Sequence, residues 1–382
     1  MTLLSAPRAG ERRSLRQLDL VLLLAVASLV VLGGLLVWSA TRQRLLVAGA
    51  DPAAYLQRHL VNAAIGAALG AAAALVHPRT LRAYAPVVYL AACLGLVAVL
   101  TPLGSTINGA HSWIVVGGGF QVQPSELAKV ALVVGLAMAL SERRDGARGP
   151  ENRDVAMALA LAAVPAGLVL LQPDLGTVLV LVVLALGVIA LSGAPLRWVA
   201  GLLLAGAVLA GGAVQLGVLD SYQVDRFAAF ADPSLDPRGV GYNTNQARIA
   251  IGAGGLTGTG LFAGSQTAGR FIPEQQTDFV FTVAGEELGL LGGSTLILLV
   301  GVVLWRGLRI AANSPDPFGR LVAAGVVCWF AFQSFVNVGM TLGIMPVTGL
   351  PLPFVSYGGS AMFANLVAVG LLQNVHLGSR EL

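Results

Sequence analysis

The run LVLLLAVASLVVLGGLLVWSA, from Leu20 to Ala40, contains no charged side chain. Coiled as an α-helix it is long enough to cross a hydrocarbon core of about 30 Å, which takes roughly 20 residues. Similar runs recur along the whole chain. Of its 382 residues 56% are hydrophobic and only 11% charged, too few charges to cover a soluble domain of this size. In lipid a helix satisfies its own backbone. The fold class is therefore all-α, a polytopic helical membrane protein.

Ten spans are expected, at 18–40, 60–76, 83–101, 125–141, 154–171, 175–192, 196–216, 279–305, 319–342 and 358–378, within one integral membrane domain over 1–382. The first run is too long for the apolar region of a cleaved signal and lacks a small-residue cleavage site. An even number of spans puts both termini on one side. Arg8, Arg12, Arg13 and Arg16 precede the first span, and the other connections on that face bring the total to 15 of the 23 basic residues. The opposite short loops carry Arg42, Arg44 and Arg58 alone. Basic residues accumulate in cytoplasmic loops, so both termini are expected in the cytoplasm. The net charge of +4 follows from that topology and gives no sign of nucleic-acid binding.

Cys93 and Cys328 lie inside apolar spans, and the four histidines are scattered without paired ligand spacing, so no protein-built metal site is expected. The only lysine, Lys129, follows Ala128 and no phosphate-binding loop surrounds it. GTGLFAG at 258–264 has the glycines of a dinucleotide fingerprint but no βαβ context. The sequence shows no means of hydrolysing a nucleotide.

One connection, 217–278, is far longer than the rest. It mixes aromatic and aliphatic residues with few runs of like charge, which predicts a folded extracytoplasmic loop with short helices, one around 245–252. Its Arg226, Arg238, Arg248 and Arg270 depart from the positive-inside bias, as long loops can.

Ionisable groups within membrane spans cost several kcal/mol and are functional suspects. In QPSELAK, at 123–129, Glu126 and Lys129 share a helix face at i and i+3. A structural ion pair and a cation held ready for an anionic substrate both fit them. In QPDLGT, at 172–177, Asp174 is suited to cap the following helix. In NGAHSWI, at 108–114, Trp113 suits an interfacial belt or a platform for a sugar ring. In FIPEQQTDFVFTVAGEELGLLGG, at 271–293, Asp278 stands where the long loop enters the eighth span, and an N-cap role is open to it too. Glu286, two turns on, is expected on the same face, with Glu287 rotated away. NVGMTLGIMPVTGLPLPFVSYGGSA, at 337–361, breaks the helical pattern with three prolines and paired glycines. Such backbone at membrane depth must be buried in protein or line a cavity. Together these pieces predict a polar cavity on the extracytoplasmic face, with the long loop as its lid.

These residues resemble the SEDS family, the polytopic cell-wall proteins typified by RodA and FtsW. The resemblance rests on Asn337, Gly343, Pro346, Gly349 and FVSYGGSA at 354–361, which includes Ser356. QPSELAK, QPDLGT, DRFAAFADPSLDPRGVGYNTNQARIAIGAGGLTGTG and PEQQTDFVFTVAGEELGLLGG also resemble family blocks, in family order. It runs from Asp19 to about Asn374. It implies a ten-helix peptidoglycan glycosyltransferase that polymerises lipid II on the outer face of the bacterial cytoplasmic membrane. By position Asp278 matches the family's essential aspartate, Glu126 and Lys129 its charge pair, and Trp113 its functional tryptophan. The chain departs from the pattern at Ser112 and Thr259, where family members commonly carry Arg and Lys.

On that resemblance the donor sugar is α-linked to pyrophosphate and the product is β-1,4-linked, so one in-line displacement with inversion suffices. Pyrophosphate leaves without the protonation a glycosidase must supply. Asp278 is expected as general base for the acceptor hydroxyl. Lys129, with Arg226, Arg248 or Arg270, is expected to stabilise the departing pyrophosphate, which a divalent cation (Mg or Mn) could share. Glu126, Trp113, Asp174, Ser356 and Glu286 complete the expected substrate contacts. The resemblance implies a class B penicillin-binding protein as partner, which suits a chain with no Ser-x-x-Lys transpeptidase motif of its own, together with other proteins of cell elongation or division. Short cytoplasmic tails favour the elongation branch. A lipid II flippase is the rival reading, because a polar cavity with broken helices also suits a transporter.

Overall fold

A computed structural model describes residues 17–107, 110–117, 120–142, 149–215 and 240–379. Arg226, Arg238, the N-terminal arginines and the first part of the long loop lie outside the described residues. Helices α1 to α7 run Leu20–Val47, Ala54–Leu75, Pro78–Val99, Pro124–Ser141, Asn152–Leu170, Leu175–Leu191 and Leu196–Gln215. After the long loop come α8 (Val240–Gly254), α9 (Ser265–Gly269), α10 (Val280–Glu287), α11 (Gly289–Asn313), α12 (Pro317–Leu342) and α13 (Gly359–Gly378). Among the described residues eight helices are long and apolar enough to cross a membrane: α1 to α5 and α11 to α13. The apolar helices Leu175–Leu191 and Leu196–Val208 are shorter. The protein is a multi-pass membrane protein.

Several boundaries differ from the sequence reading. Helices α2 and α3 begin at Ala54 and Pro78, a turn or more before the expected spans. Hydropathy does not register the polar first turns that carry Tyr55, Arg58, Arg79 and Arg82. The connection before α4 is no plain loop. Strands β1 (Ser105–Ile107), β2 (Ala110–Gly117) and β3 (Phe120–Val122) form an antiparallel sheet in the order β1-β2-β3, with Trp113 opposite Ser105. Helix α8 covers the stretch 245–252, where a short helix is expected.

The largest difference lies at 279–305, expected as one span. The chain breaks at Leu288 into α10 and α11, with Gly289 in the left-handed region at φ 65°. A side chain there would be strained. The turn at 255–260 fills the break from the side. Thr259 and Gly260 donate to the carbonyls of Glu286 and Glu287 at 3.0 Å each, and Leu290 and Leu291 donate to those of Gly255 and Leu256. The opened backbone is thus hydrogen-bonded inside the protein, the condition membrane depth imposes.

Helices α4, α12 and α13 are mostly buried, while α3 and α7 present exposed leucines and valines to the surroundings. The close approach of α2 to α13 depends on small residues. A Cβ on Gly70 would stand 2.4 Å from the carbonyl oxygen of Leu366, and one on Gly370 2.1 Å from that of Gly70. In lipid such backbone contact supplies the van der Waals energy that burial of apolar area supplies in water. At the far end Asp19 caps α1 and takes Arg306 Nε at 2.8 Å, while Gln373 bonds both its backbone N–H and its carbonyl. The one residue Asp19 so fastens α1 to α11 through its buried carboxylate and to α13 through its backbone.

Candidate active site

The β-sheet, the start of α2 and the segment before α10 meet around a cavity of about 330 Å³ at the face where α4 begins. Arg44 enters from the end of α1, Tyr55 and Arg58 from the first turns of α2, and Trp113 from β2. Glu274, Gln276 and Thr277 form one wall and Tyr357 to Gly359 another. Tyr55 and Tyr357 pack with ring centroids 4.9 Å apart. Burial pushes the Tyr357 phenol above its ordinary pKa, against the pull of the Arg58 guanidinium. A smaller adjoining cavity is lined by Arg44, Arg270, Glu274 and Gln276. Two arginines and four aromatic rings, Phe363 among them, therefore line one opening, with a third arginine, Arg270, in the cavity beside it.

Asp278 sits one residue behind the lining Thr277, half-buried, and ends a tight turn in which its N–H and that of Thr277 reach the Glu274 carbonyl at 3.1 and 3.2 Å. It is not an N-cap, since α10 starts two residues later after Phe279. Its carboxylate abuts Gly349, where a Cβ would stand 3.6 Å from Oδ2. Three polar side chains or backbone groups fix the turn. Asn337 Nδ2 donates to the Asp278 carbonyl at 2.8 Å, Ser356 Oγ donates to the Thr277 carbonyl at 2.5 Å, and Tyr357 N donates to the Gln276 carbonyl at 2.9 Å. Ser356 Oγ also accepts from Leu352 N at 2.8 Å. The broken stretch 343–358 is thus a clamp on the segment that carries the aspartate.

Lys129 does not reach the cavity. Its side chain has no exposed surface, and Nζ lies 2.7 Å from Glu126 Oε1, 3.0 Å from Gln333 Oε1 and 5.0 Å from the centre of the Trp329 ring. The expected cation for the leaving group is sealed between α4 and α12. Pro124 opens α4 at N1, and the i, i+3 spacing turns both charges inward, where each needs the other. Gln333 passes the contact on, with Nε2 donating to the Pro351 carbonyl at 2.8 Å.

The other expected contacts separate. Trp113 lines the cavity. Asp174 caps α6, accepting from Thr177 N and Oγ1 at 3.0 and 2.8 Å, and takes Gln123 Nε2 at 3.2 Å. Glu286 is not on the face of Asp278, which precedes the helix. It is fully buried and accepts from Gln266 N, Thr267 N and Thr267 Oγ1 at 2.7 to 2.8 Å, holding α9. Glu287 takes Ser39 Oγ at 2.6 Å and ties α10 to α1. Arg248 is exposed on α8 with its Cδ near Gly343, and Arg270 lines the adjoining cavity. Arg226 lies outside the described residues.

Arg44, Arg58, Tyr55 and Glu274 are the residues that sequence reasoning missed. The signal was present: Arg44 and Arg58 are two of only three basic residues in the short loops of that face. Fewer than three carboxylates converge on the cavity, and no group of three or more His, Cys, Asp or Glu able to hold a metal occurs among the described residues. Among the described residues, the cavity lining offers a single carboxylate, Glu274, toward a divalent cation.

A family model described as cell cycle protein, covering FtsW, RodA and SpoVE, matches residues 20–381. The chain is 37% identical over 359 residues to the peptidoglycan glycosyltransferase MrdB of Escherichia coli strain K12, covering 94% of this chain and 93% of that one. It superposes on a chain of a peptidoglycan synthase complex, solved for how polymerization and crosslinking are coordinated, with TM-score 0.80 and 36% identity over 95% and 98% of the two chains. The rod shape determining protein RodA of Thermus thermophilus is similar with TM-score 0.69 and 33% identity, over 94% and 96%. Matched along almost its whole length by the family model and by these relatives, the chain belongs to the FtsW/RodA/SpoVE, or SEDS, family.

Proposed function

We propose that this chain is a peptidoglycan glycosyltransferase that polymerises lipid II into β-1,4-linked glycan on the outer face of the cytoplasmic membrane, releasing undecaprenyl pyrophosphate. The observation that carries the reading is the cavity beside Asp278. Cations and aromatic rings share one opening, as a substrate with a pyrophosphate, sugars and a lipid tail requires. Lipid II enters with its tail in the bilayer and its sugars above it. Both termini then face the cytoplasm, and the cavity faces outward.

Asp278 takes the proton of the acceptor 4-hydroxyl as that oxygen attacks the donor's anomeric carbon from the side opposite the pyrophosphate. The bond to pyrophosphate breaks with inversion. Arg58 and Arg44, with Arg270 beside them, meet the negative charge that develops on the leaving group. Guanidinium groups suit phosphate oxygens because they bind them in pairs. Trp113, Tyr55 and Tyr357 offer faces to sugar rings. Lys129 and Glu126 act at a distance, by holding Gln333 and through it the stretch that clamps Asp278. A divalent ion (Mg or Mn) would be held mainly by the pyrophosphate oxygens and would share the neutralisation of their charge.

The names of the relatives support a role in elongation and cell shape, and the synthase complex supports a class B penicillin-binding protein as partner. The test is polymerisation of labelled lipid II by purified protein, alone and with its cognate penicillin-binding protein, beside Asp278→Ala. Glycan ladders from wild type and a loss of about 10²–10⁴-fold in the variant are expected. Ladders from both would move the base elsewhere. None from either, with transfer of lipid II between leaflets in vesicles, would identify a flippase.

A further inference from the structure

The larger cavity lies on the opposite side. It encloses about 650 Å³ between the start of α3, the start of α12 and the end of α13. Helix α4 measures its separation from the candidate active site. Its 18 residues begin beside the first cavity and end at Ser141, which bonds Arg82 of the second, a rise of about 27 Å. The glycosyltransferase chemistry has no use for this place.

Its lining is cationic on one side and apolar on the other. Arg79 is exposed. Arg82 is held by Ser141 Oγ at 3.2 Å and by the Phe318 ring at 5.7 Å. His77 Nδ1 accepts the backbone N–H of Arg79 at 3.2 Å. Asp316, the single carboxylate among the described lining residues, is engaged in capping α12, accepting from Phe318 N and Gly319 N at 3.4 and 3.2 Å. Pro78, Pro315, Pro317 and Phe318 supply apolar wall, and Leu75, two residues before His77, is 52% exposed.

We propose that this cavity binds the headgroup of an anionic phospholipid from the leaflet on that side. Two guanidinium groups match the phosphate oxygens, and the proline and phenylalanine wall takes the glycerol and the first acyl carbons beside Leu75. A basic pocket between helices on the arginine-rich face is where such headgroups are recognised. The apolar wall distinguishes a lipid from free phosphate, which has nothing to place there. The site seats its lipid across the ends of α3, α12 and α13, and so ties their packing to the charge of the bilayer.

The test uses the full chain in nanodiscs of phosphatidylcholine with and without phosphatidylglycerol, read by native mass spectrometry and by thermal unfolding. Wild type is expected to retain one phosphatidylglycerol preferentially and to unfold at higher temperature with it. Arg79→Ala/Arg82→Gln should retain it about 30-fold more weakly, at roughly fivefold per cation, and Arg309→Ala should match wild type. Should the double variant fold poorly, Arg79→Glu decides, because it leaves the Arg82 contacts with Ser141 and Phe318 in place; at least a fivefold loss is expected. Equal retention of phosphatidylcholine, or undiminished binding by Arg79→Glu, would overturn the proposal. So would equal stabilisation by inorganic phosphate in phosphatidylcholine alone, which would make this a free-phosphate site. None of these readouts depends on polymerase activity.

Discussion

Asn337 donates from one amide nitrogen to two backbone carbonyls, that of Asp278 at 2.8 Å and that of Leu350 at 2.7 Å. One turn earlier on α12, Gln333 bonds the neighbouring Pro351 carbonyl and receives Lys129. The two amides form a ladder from a buried charge pair to the turn that holds the aspartate. Neither carries charge, and both are fully buried.

Replacing Asn337 by Leu leaves both carbonyls without their donor. Polymerisation by the folded protein is expected to fall about 10²-fold through kcat, since a small misplacement of a reacting group costs that much. KM for lipid II should hold within about twofold, because Asn337 does not line the cavity. Steady-state kinetics on purified variants separate the two terms.

Lys129→Met strands Glu126 in an apolar interior and should destabilise the protein by about 3–5 kcal/mol. Lys129→Met/Glu126→Gln removes both charges and should recover most of that loss in thermal unfolding. If Lys129 instead met the pyrophosphate directly, the double variant would recover stability yet raise KM for lipid II.

Arg58 is exposed to the cavity, so its loss should act on substrate and spare the fold. Arg58→Ala is expected to lower kcat/KM by roughly 10- to 100-fold, the loss of a hydrogen bond to a charged group. Arg58→Lys should recover only part of it, because an ammonium cannot pair two oxygens in plane. Unfolding temperature should stay close to wild type.

Glu286→Ala leaves Gln266 N, Thr267 N and Thr267 Oγ1 without their acceptor. A loss of about 1–3 kcal/mol in stability is expected, with KM for lipid II unchanged in the folded fraction. A large rise in KM would return Glu286 to the substrate.

Gly370→Leu forces α13 away from α2, since even a Cβ meets the Gly70 carbonyl at 2.1 Å. Destabilisation of about 1–3 kcal/mol or more is expected. Thermal unfolding in detergent checks it, with Gly201→Leu as a control, because a Cβ on Gly201 has open space around it.

Much of this was legible from residues alone. The apolar runs gave the helices, Pro124 the start of α4, and the spacing of Asp174 from Thr177 a cap that the fold uses. The motifs carried the family. Other features left no local trace. The stretch 110–117 reads as a connection until its neighbours pair with it, and the break at Gly289 depends on a turn some 30 residues earlier in the chain supplying donors and acceptors.

The sequence by itself determined that the chain crosses a membrane, which family it joins, and that charge gathers near Gln123 and Asp278. Only the tertiary structure decided which of those charges meets open space. Lys129, the obvious cation, is sealed against Trp329, while Arg58, read as a topological exception, faces the cavity. The reason is physical. Spacing along a helix fixes which side chains share a face, but the neighbours packed on that face decide whether it is dry or wet.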